Sequence, residues 1–161
     1  MSPLSTTRPH YIDVLVVDPI AADGKRTVSA IRRALPDAST VRVQDIKQAT
    51  RLIFEQGLFT FEPELPRLIF LEPRGIDGQA RAFLQRLRAR GSTRSVPVVI
   101  LSRCSRPGEI AQSYLMGARD HIVKPNHLSQ YIDEVERVAI AWLQLTRFQA
   151  DGEHPSAEIR T

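Results

Sequence analysis

Apolar residues in this chain fall into short, nearly continuous runs, and the stretches between them have a helical period. Ile12-Asp-Val-Leu-Val-Val17, Leu68-Ile-Phe-Leu71 and Val96-Pro-Val-Val-Ile-Leu101 are too short for helices and too uniformly apolar for half-exposed strands. They read as strands covered on both faces. Thr40-Val-Arg-Val-Gln44 alternates as an edge or half-buried strand does, and Asp120-His-Ile-Val-Lys124-Pro125 is a further short strand. Helical patterns fill the intervals. One runs from about Asp23 to Leu35, with Val28, Ile31 and Leu35 on one face and Pro36 to stop it; a second runs from Ile46 to Gln56, with Ala49, Leu52 and Ile53 inward and Gly57 beyond its end. Ala80 to Arg90 presents Phe83, Leu84 and Leu87 inward, Glu109 to Met116 is stopped by Gly117, and Leu128 to about Arg147 forms the last helix.

Strands each followed by a helix, the central ones apolar throughout, predict a parallel sheet with helices on both faces. The working site of such a sheet lies at the carboxyl ends of its strands, near the point where strand order reverses. That directs attention to Asp18, Glu72, Ser102 and Lys124.

Composition fits this picture. The 161 residues suit one domain, and 42% hydrophobic with 25% charged residues is ordinary for a globular protein. Residues 1–10 read as an N-terminal extension, 11–147 as the domain and 148–161 as a disordered tail. Cys104 is the single cysteine, so neither a disulfide nor a cysteine-pair zinc site is expected, consistent with a reducing cytoplasm. No apolar run approaches the roughly 18 residues of a membrane span, and the amino terminus has no hydrophobic segment of the secretory type.

The stretches Val14-Leu-Val-Val-Asp18, Leu68-Ile-Phe-Leu-Glu72, Val96-Pro-Val-Val-Ile-Leu-Ser102 and Gly117-Ala-Arg-Asp-His-Ile-Val-Lys-Pro125 give a more specific reading. In this order they resemble the receiver domain of bacterial two-component response regulators, of the single-domain chemotaxis-type and phytochrome-partner kind. The resemblance covers about Tyr11 to Arg147 and implies a flavodoxin-like, doubly wound α/β fold with five parallel strands, (βα)5. It also implies a chemistry in which an aspartate accepts a phosphoryl group beside a Mg²⁺ held by an acidic pair, while a hydroxyl and a lysine hold the phosphoryl oxygens. By resemblance, Asp18 is the first acid of the pair, Ser102 and Lys124 are the phosphoryl contacts, and the Lys124–Pro125 bond is expected to be cis.

Three positions depart from the family pattern. Glu72 stands where the phosphoacceptor aspartate belongs, and its extra methylene carries the carboxylate about 1.5 Å further into the phosphoryl space. Pro19 replaces the second acid, and Glu72-Pro-Arg-Gly-Ile-Asp-Gly78 is short, so the loop is expected to be rebuilt. His121 stands at the position of an aromatic switch residue. Together these changes argue against ordinary phosphotransfer and against Mg²⁺, and no cofactor is expected. The expected function is a stand-alone, non-enzymatic pseudo-receiver in which Glu72 pairs with Lys124, acting on a sensor histidine kinase or another signalling protein. The alternatives are a phosphorylatable receiver and a DNA-binding regulator.

The residues with blander readings set the remaining expectations. Lys plus Arg is 22 against 18 acids, which raises the question of nucleic acid. Arg81, Arg86, Arg88, Arg90 and Arg94 read instead as the outer face of the third helix and the stretch just beyond it, a solvated face or a patch for an acidic protein partner, without interleaved aromatics or a recognition helix. Neither a nucleic-acid nor a membrane partner is therefore expected. Tyr131, Val135, Val138 and Trp142 widen the apolar stripe of the last helix, and that excess predicts a homodimer interface.

Overall fold

The computed structural model describes residues 12–55, 65–73 and 78–152, with side chains as far as 145. Strands β1 (Val14–Val17), β2 (Thr40–Val43), β3 (Leu68–Leu71), β4 (Val98–Ser102) and β5 (Asp120–Val123) alternate with helices α1 (Ala21–Ala34), α2 (Ile46–Thr50), α3 (Gly78–Ala89), α4 (Pro107–Leu115) and α5 (Leu128–Gly152). All strand pairings are parallel, in the order β2-β1-β3-β4-β5. Strand order reverses between β1 and β3, so Asp18 and Glu72 leave the sheet side by side.

Continuous apolar strands follow from a sheet that is covered twice. Val14, Val16, Leu68, Phe70, Val99 and Leu101 face one core with α1 and α5, whereas Leu15, Val17, Ile69, Leu71, Val98 and Ile100 face the other with α2 and α3. Every one of these residues is shielded from solvent. The period of two along each strand therefore divides its side chains between two cores instead of between core and water.

The second helical pattern does not continue as a regular helix. After α2 the chain makes one π turn over Arg51–Glu55. Leu52, Ile53 and Phe54 are consecutive apolar residues that all pack toward the second core, and a regular helix would rotate one of them outward. Gln56, the expected end of this element, lies outside the described residues, as do the N-terminal extension and residues 153–161. Helix α5 runs past Arg147 to Gly152, into the segment expected to be disordered.

The expected dimer stripe is not a surface. Tyr131, Val135 and Val138 are buried in the first core, and Trp142 packs against it partly buried. The stripe is wide because α5 covers both the sheet and α1, and two neighbours need more than one helical row. Its one polar member is satisfied inside: the Thr27 hydroxyl donates to Asp23 O at 3.0 Å, which leaves the Tyr131 hydroxyl to donate to Thr27 at 2.5 Å. Burial pushes the Tyr131 phenol up to about 12.

Arg88 is likewise not on an outer face. It is half-buried and donates to the carbonyls of Arg94, Val96 and Gly117 at 2.7, 2.9 and 2.7 Å. Gly117 ends α4 with φ +105, a left-handed turn that favours glycine, and the amides of Gly117 and Ala118 return to Tyr114 O and Ser113 O.

The core assignment of α5 is testable. Val135→Ala should lower the unfolding free energy by about 2 kcal/mol in urea denaturation, from lost burial plus a residual cavity. A loss below about 0.5 kcal/mol would be the behaviour of a surface position.

Candidate functional site

Four segments meet at the carboxyl edge of the sheet. Asp18 follows β1 and is fully buried; its Oδ1 accepts from the amide of Ile20 at 2.9 Å, turning the chain into α1. One turn into α1, Asp23 faces back over the sheet and is also buried. Glu72 follows β3, its amide held by Val17 O at 2.8 Å. Lys124 follows β5, its amide donating to Ser102 O at 2.7 Å.

The Lys124 side chain reaches the point where the three acids converge. Its Nζ donates to Asp18 Oδ2 and Asp23 Oδ2, each at 3.0 Å, and makes an ion pair with Glu72 Oε2 at 2.8 Å. Glu72 Oε2 is buried, and among the described residues Lys124 is its one charged partner. Arg103, just past β4, donates to the same Asp23 oxygen at 2.8 Å, and Arg26 approaches Asp23 Oδ1 at 3.5 Å. From the β2 side, Arg42 donates to Asp18 O at 2.8 Å. Gly24 leaves room for it: a Cβ there would collide with the Arg42 side chain and crowd Asp18 Cβ.

Burial and charge act in opposite directions on these groups. Burial is the largest influence on Glu72 and, helped by the neighbouring charges of Asp18 and Asp23, holds its carboxyl above the usual range despite Lys124. Burial also acts to raise Asp23, but Lys124 and then Arg103 outweigh it and leave that carboxyl lowered. For Lys124, burial acts to lower the ammonium and is overcome by Glu72 and Asp18, so the lysine is held charged well above its ordinary value.

The structure thus brings Asp18, Glu72 and Lys124 together. Ser102 is adjacent, but its hydroxyl accepts from the amide of Cys104 at 3.0 Å. His121 lies on β5 away from the cluster, its Nδ1 2.9 Å from the hydroxyl of buried Ser113. That hydroxyl donates to Ile110 O at 2.7 Å, so Nδ1 carries the proton and Nε2 is a buried acceptor without a partner. Burial lowers its pKa against the pull of Asp120 and Glu109.

Lys124–Pro125 is trans; the structure has no cis peptide bond among the described residues. Trans is the default of such a bond by about 0.5–1 kcal/mol, and it already permits the amide contact and all three ion pairs of Lys124. The shortened loop after Glu72 has residues 74–77 outside the described part.

Asp23 and Arg103 were not singled out by the sequence. In the sequence Asp23 marks only the approximate start of a helix, a place where an acid is favourable in any case. The available signal was topological: a helix entering from the carboxyl edge places its first turn over the strand ends.

Opposite pKa directions give opposite pH slopes. Glu72 is raised above 4.5, so as pH climbs from there through its folded value, ionisation removes stability. Asp23 is lowered from 3.8, so its contribution is full above that value and is lost as pH falls through the folded one. In urea denaturation, Glu72→Gln should gain on the parent chain as pH rises from about 4 to about 8, and Asp23→Asn should gain on it as pH falls from about 4 to about 2, where the parent loses the Asp23 contribution. A curve parallel to the parent's for either variant would contradict the direction given for that residue.

No family model matches the chain. Response regulator Rcp1 of Synechocystis sp. is 20% identical over 137 residues, covering 85% of this chain and 92% of that protein. Among solved structures, the bacteriophytochrome response regulator RtBRR is 27% identical with a TM-score of 0.61, over 81% of this chain and 76% of the other. The phosphorylated cyanobacterial phytochrome response regulator RcpA is 23% identical with a TM-score of 0.71, over 82% and 94%. With this strand order, and with matches that each cover more than four-fifths of the chain, the protein has the flavodoxin-like receiver fold and is similar to response regulators of that fold.

Proposed function

We propose that this chain is a pseudo-receiver in two-component signal transduction, acting through protein contacts and not through phosphotransfer. The observation that carries this reading is the Lys124 ammonium held 2.8–3.0 Å from Glu72, Asp18 and Asp23 together. A phosphorylatable receiver needs a carboxylate free to attack phosphorus and a divalent cation to offset charge on the transferring oxygens. In this pocket the cation's place is contested by the protein's own charges. The donor set does not suit Mg²⁺: the three acids converge on an ammonium, Arg103 takes an oxygen of Asp23, and Pro19 has no side-chain oxygen. Glu72, at the position the resemblance gives to the phosphoacceptor, supplies Lys124 with a built-in carboxylate partner in place of a phosphoryl group that comes and goes.

Output in this reading passes through the surfaces of the domain, in the cytoplasm and without an enzymatic step. No helix among the described residues is long and apolar enough to cross a membrane. RcpA and RtBRR are, by their names, phytochrome and bacteriophytochrome response regulators, which favours a sensor histidine kinase of that kind as the upstream partner.

Incubation with acetyl phosphate and Mg²⁺, read by intact mass, should leave the chain unmodified. A stable gain of roughly 80 Da, one phosphoryl group, that disappears in Glu72→Gln would establish a working phosphoacceptor instead. Self-association belongs to the same proposal, and with Tyr131, Val135 and Val138 buried it falls to the exposed Tyr114 and Leu115 of α4 and Leu128 of α5. Light scattering should give a dimer mass that Leu115→Glu reduces to a monomer; a monomeric parent chain would remove the dimer from the proposal.

A further inference from the structure

A second site lies on the face opposite α1 and α5, where α2 and its π turn meet α3. A cavity of about 410 Å³ opens there, within the size range of small-molecule sites. Ile46, Ala82 and Phe83 give it an apolar side, and Thr50 and Gln79 add polar groups. Lys47, Arg51 and Arg86 bring cations from three different elements, against Glu55 as the one acid among the lining residues.

Two arginines here stack on one aromatic ring, and among the described residues none of these cations pairs with an acid. The Arg86 guanidinium lies 4.3 Å from the centroid of the Phe54 ring, and that of Arg90 lies 5.2 Å from the same ring. The ring's negative face offsets part of the repulsion between them. None of Lys47, Arg51, Arg86 and Arg90 forms an ion pair with a described residue, whereas Arg33, Arg67 and Arg103 elsewhere on the molecule do. An excess of fixed positive charge around a partly apolar cavity is complementary to an anion that also has an apolar or planar portion.

We infer that the α2–α3 cleft binds a small phosphate ester carrying a planar ring, the class represented by a mononucleotide. Arg86, stacked on Phe54, suits bidentate contact with phosphate oxygens, and Lys47 and Arg51 add charge from the facing element. Ile46, Ala82 and Phe83 offer apolar surface to the ring. The inference does not rest on the pseudo-receiver reading, since it uses none of the residues around Lys124.

Isothermal titration of the full chain with adenosine 5′-monophosphate tests it, with Lys47→Gln and Arg86→Gln as variants and circular dichroism to confirm that each is folded. Lys47 is exposed and stands outside the Phe54 stack, so its variant retains that packing. Expected are saturable binding that weakens as salt is raised and an affinity at least about tenfold lower in each variant, the loss of one charge-assisted contact. Absence of saturable binding at roughly 5 mM nucleotide would overturn the inference. So would an affinity unchanged in both variants, or tighter binding of a poly-glutamate peptide than of the nucleotide, which would assign the cleft to an acidic protein segment.

Discussion

An ammonium that has left bulk water must be surrounded by opposite charge, and the carboxyl edge of this sheet is arranged around that requirement. Lys124 is 7% exposed, and each of its acids comes from a different segment: Asp18 after β1, Asp23 in α1 and Glu72 after β3. Such a cluster is a weak source of net stability, because desolvation offsets most of the attraction. Its effect is on geometry. Removing one partner of a buried pair typically costs about 3–5 kcal/mol, because the remaining charges are left uncompensated, so departures from this arrangement are steeply unfavourable.

The cluster also reconciles Glu72 with its surroundings. A longer carboxylate at the end of β3 would project into open pocket if nothing met it, and Lys124 meets it at 2.8 Å. The acids together carry more charge than one ammonium balances. Arg103 and Arg26 make up the difference at Asp23, which is the acid whose carboxyl is lowered; Glu72 lacks such help and is the one raised. Desolvation, heavier at Glu72, and the distribution of cations, richer at Asp23, together sort the two carboxyls into opposite behaviours.

Much of the fold was legible because continuous apolar strands admit few solutions: Leu68 to Leu71 must be covered on both faces, and helices of the right spacing stand on either side in the chain. Asp18, Glu72 and Lys124 were legible for the same reason, since strand ends in a parallel sheet share an edge. What the pattern could not supply were contacts made across elements. Asp23 faces a lysine 101 residues away, and nothing local distinguishes it from a solvated first-turn acid. The apolar stripe of α5 misled because amphipathic width does not say how many neighbours a helix has. Arg88 looked solvated because a guanidinium that ligates carbonyls leaves no acidic partner in the sequence. The Lys-Pro step could not reveal its isomer, which the chain around the pocket accommodates as trans.

Arg88 has a mechanical meaning that extends beyond its hydrogen bonds. By holding Arg94 O, Val96 O and Gly117 O at once, it ties the end of α3, the entry to β4 and the exit from α4 into a single block at the amino edge of the sheet. At the opposite edge, the segment between β4 and α4 is tied to α1 by the single reach of Arg103 to Asp23. The β4–α4 segment is therefore the lightly latched part of a rim that Lys124 otherwise holds, and a partner protein that pulled Arg103 away would loosen that segment while leaving the lysine cluster and the far rim clamped.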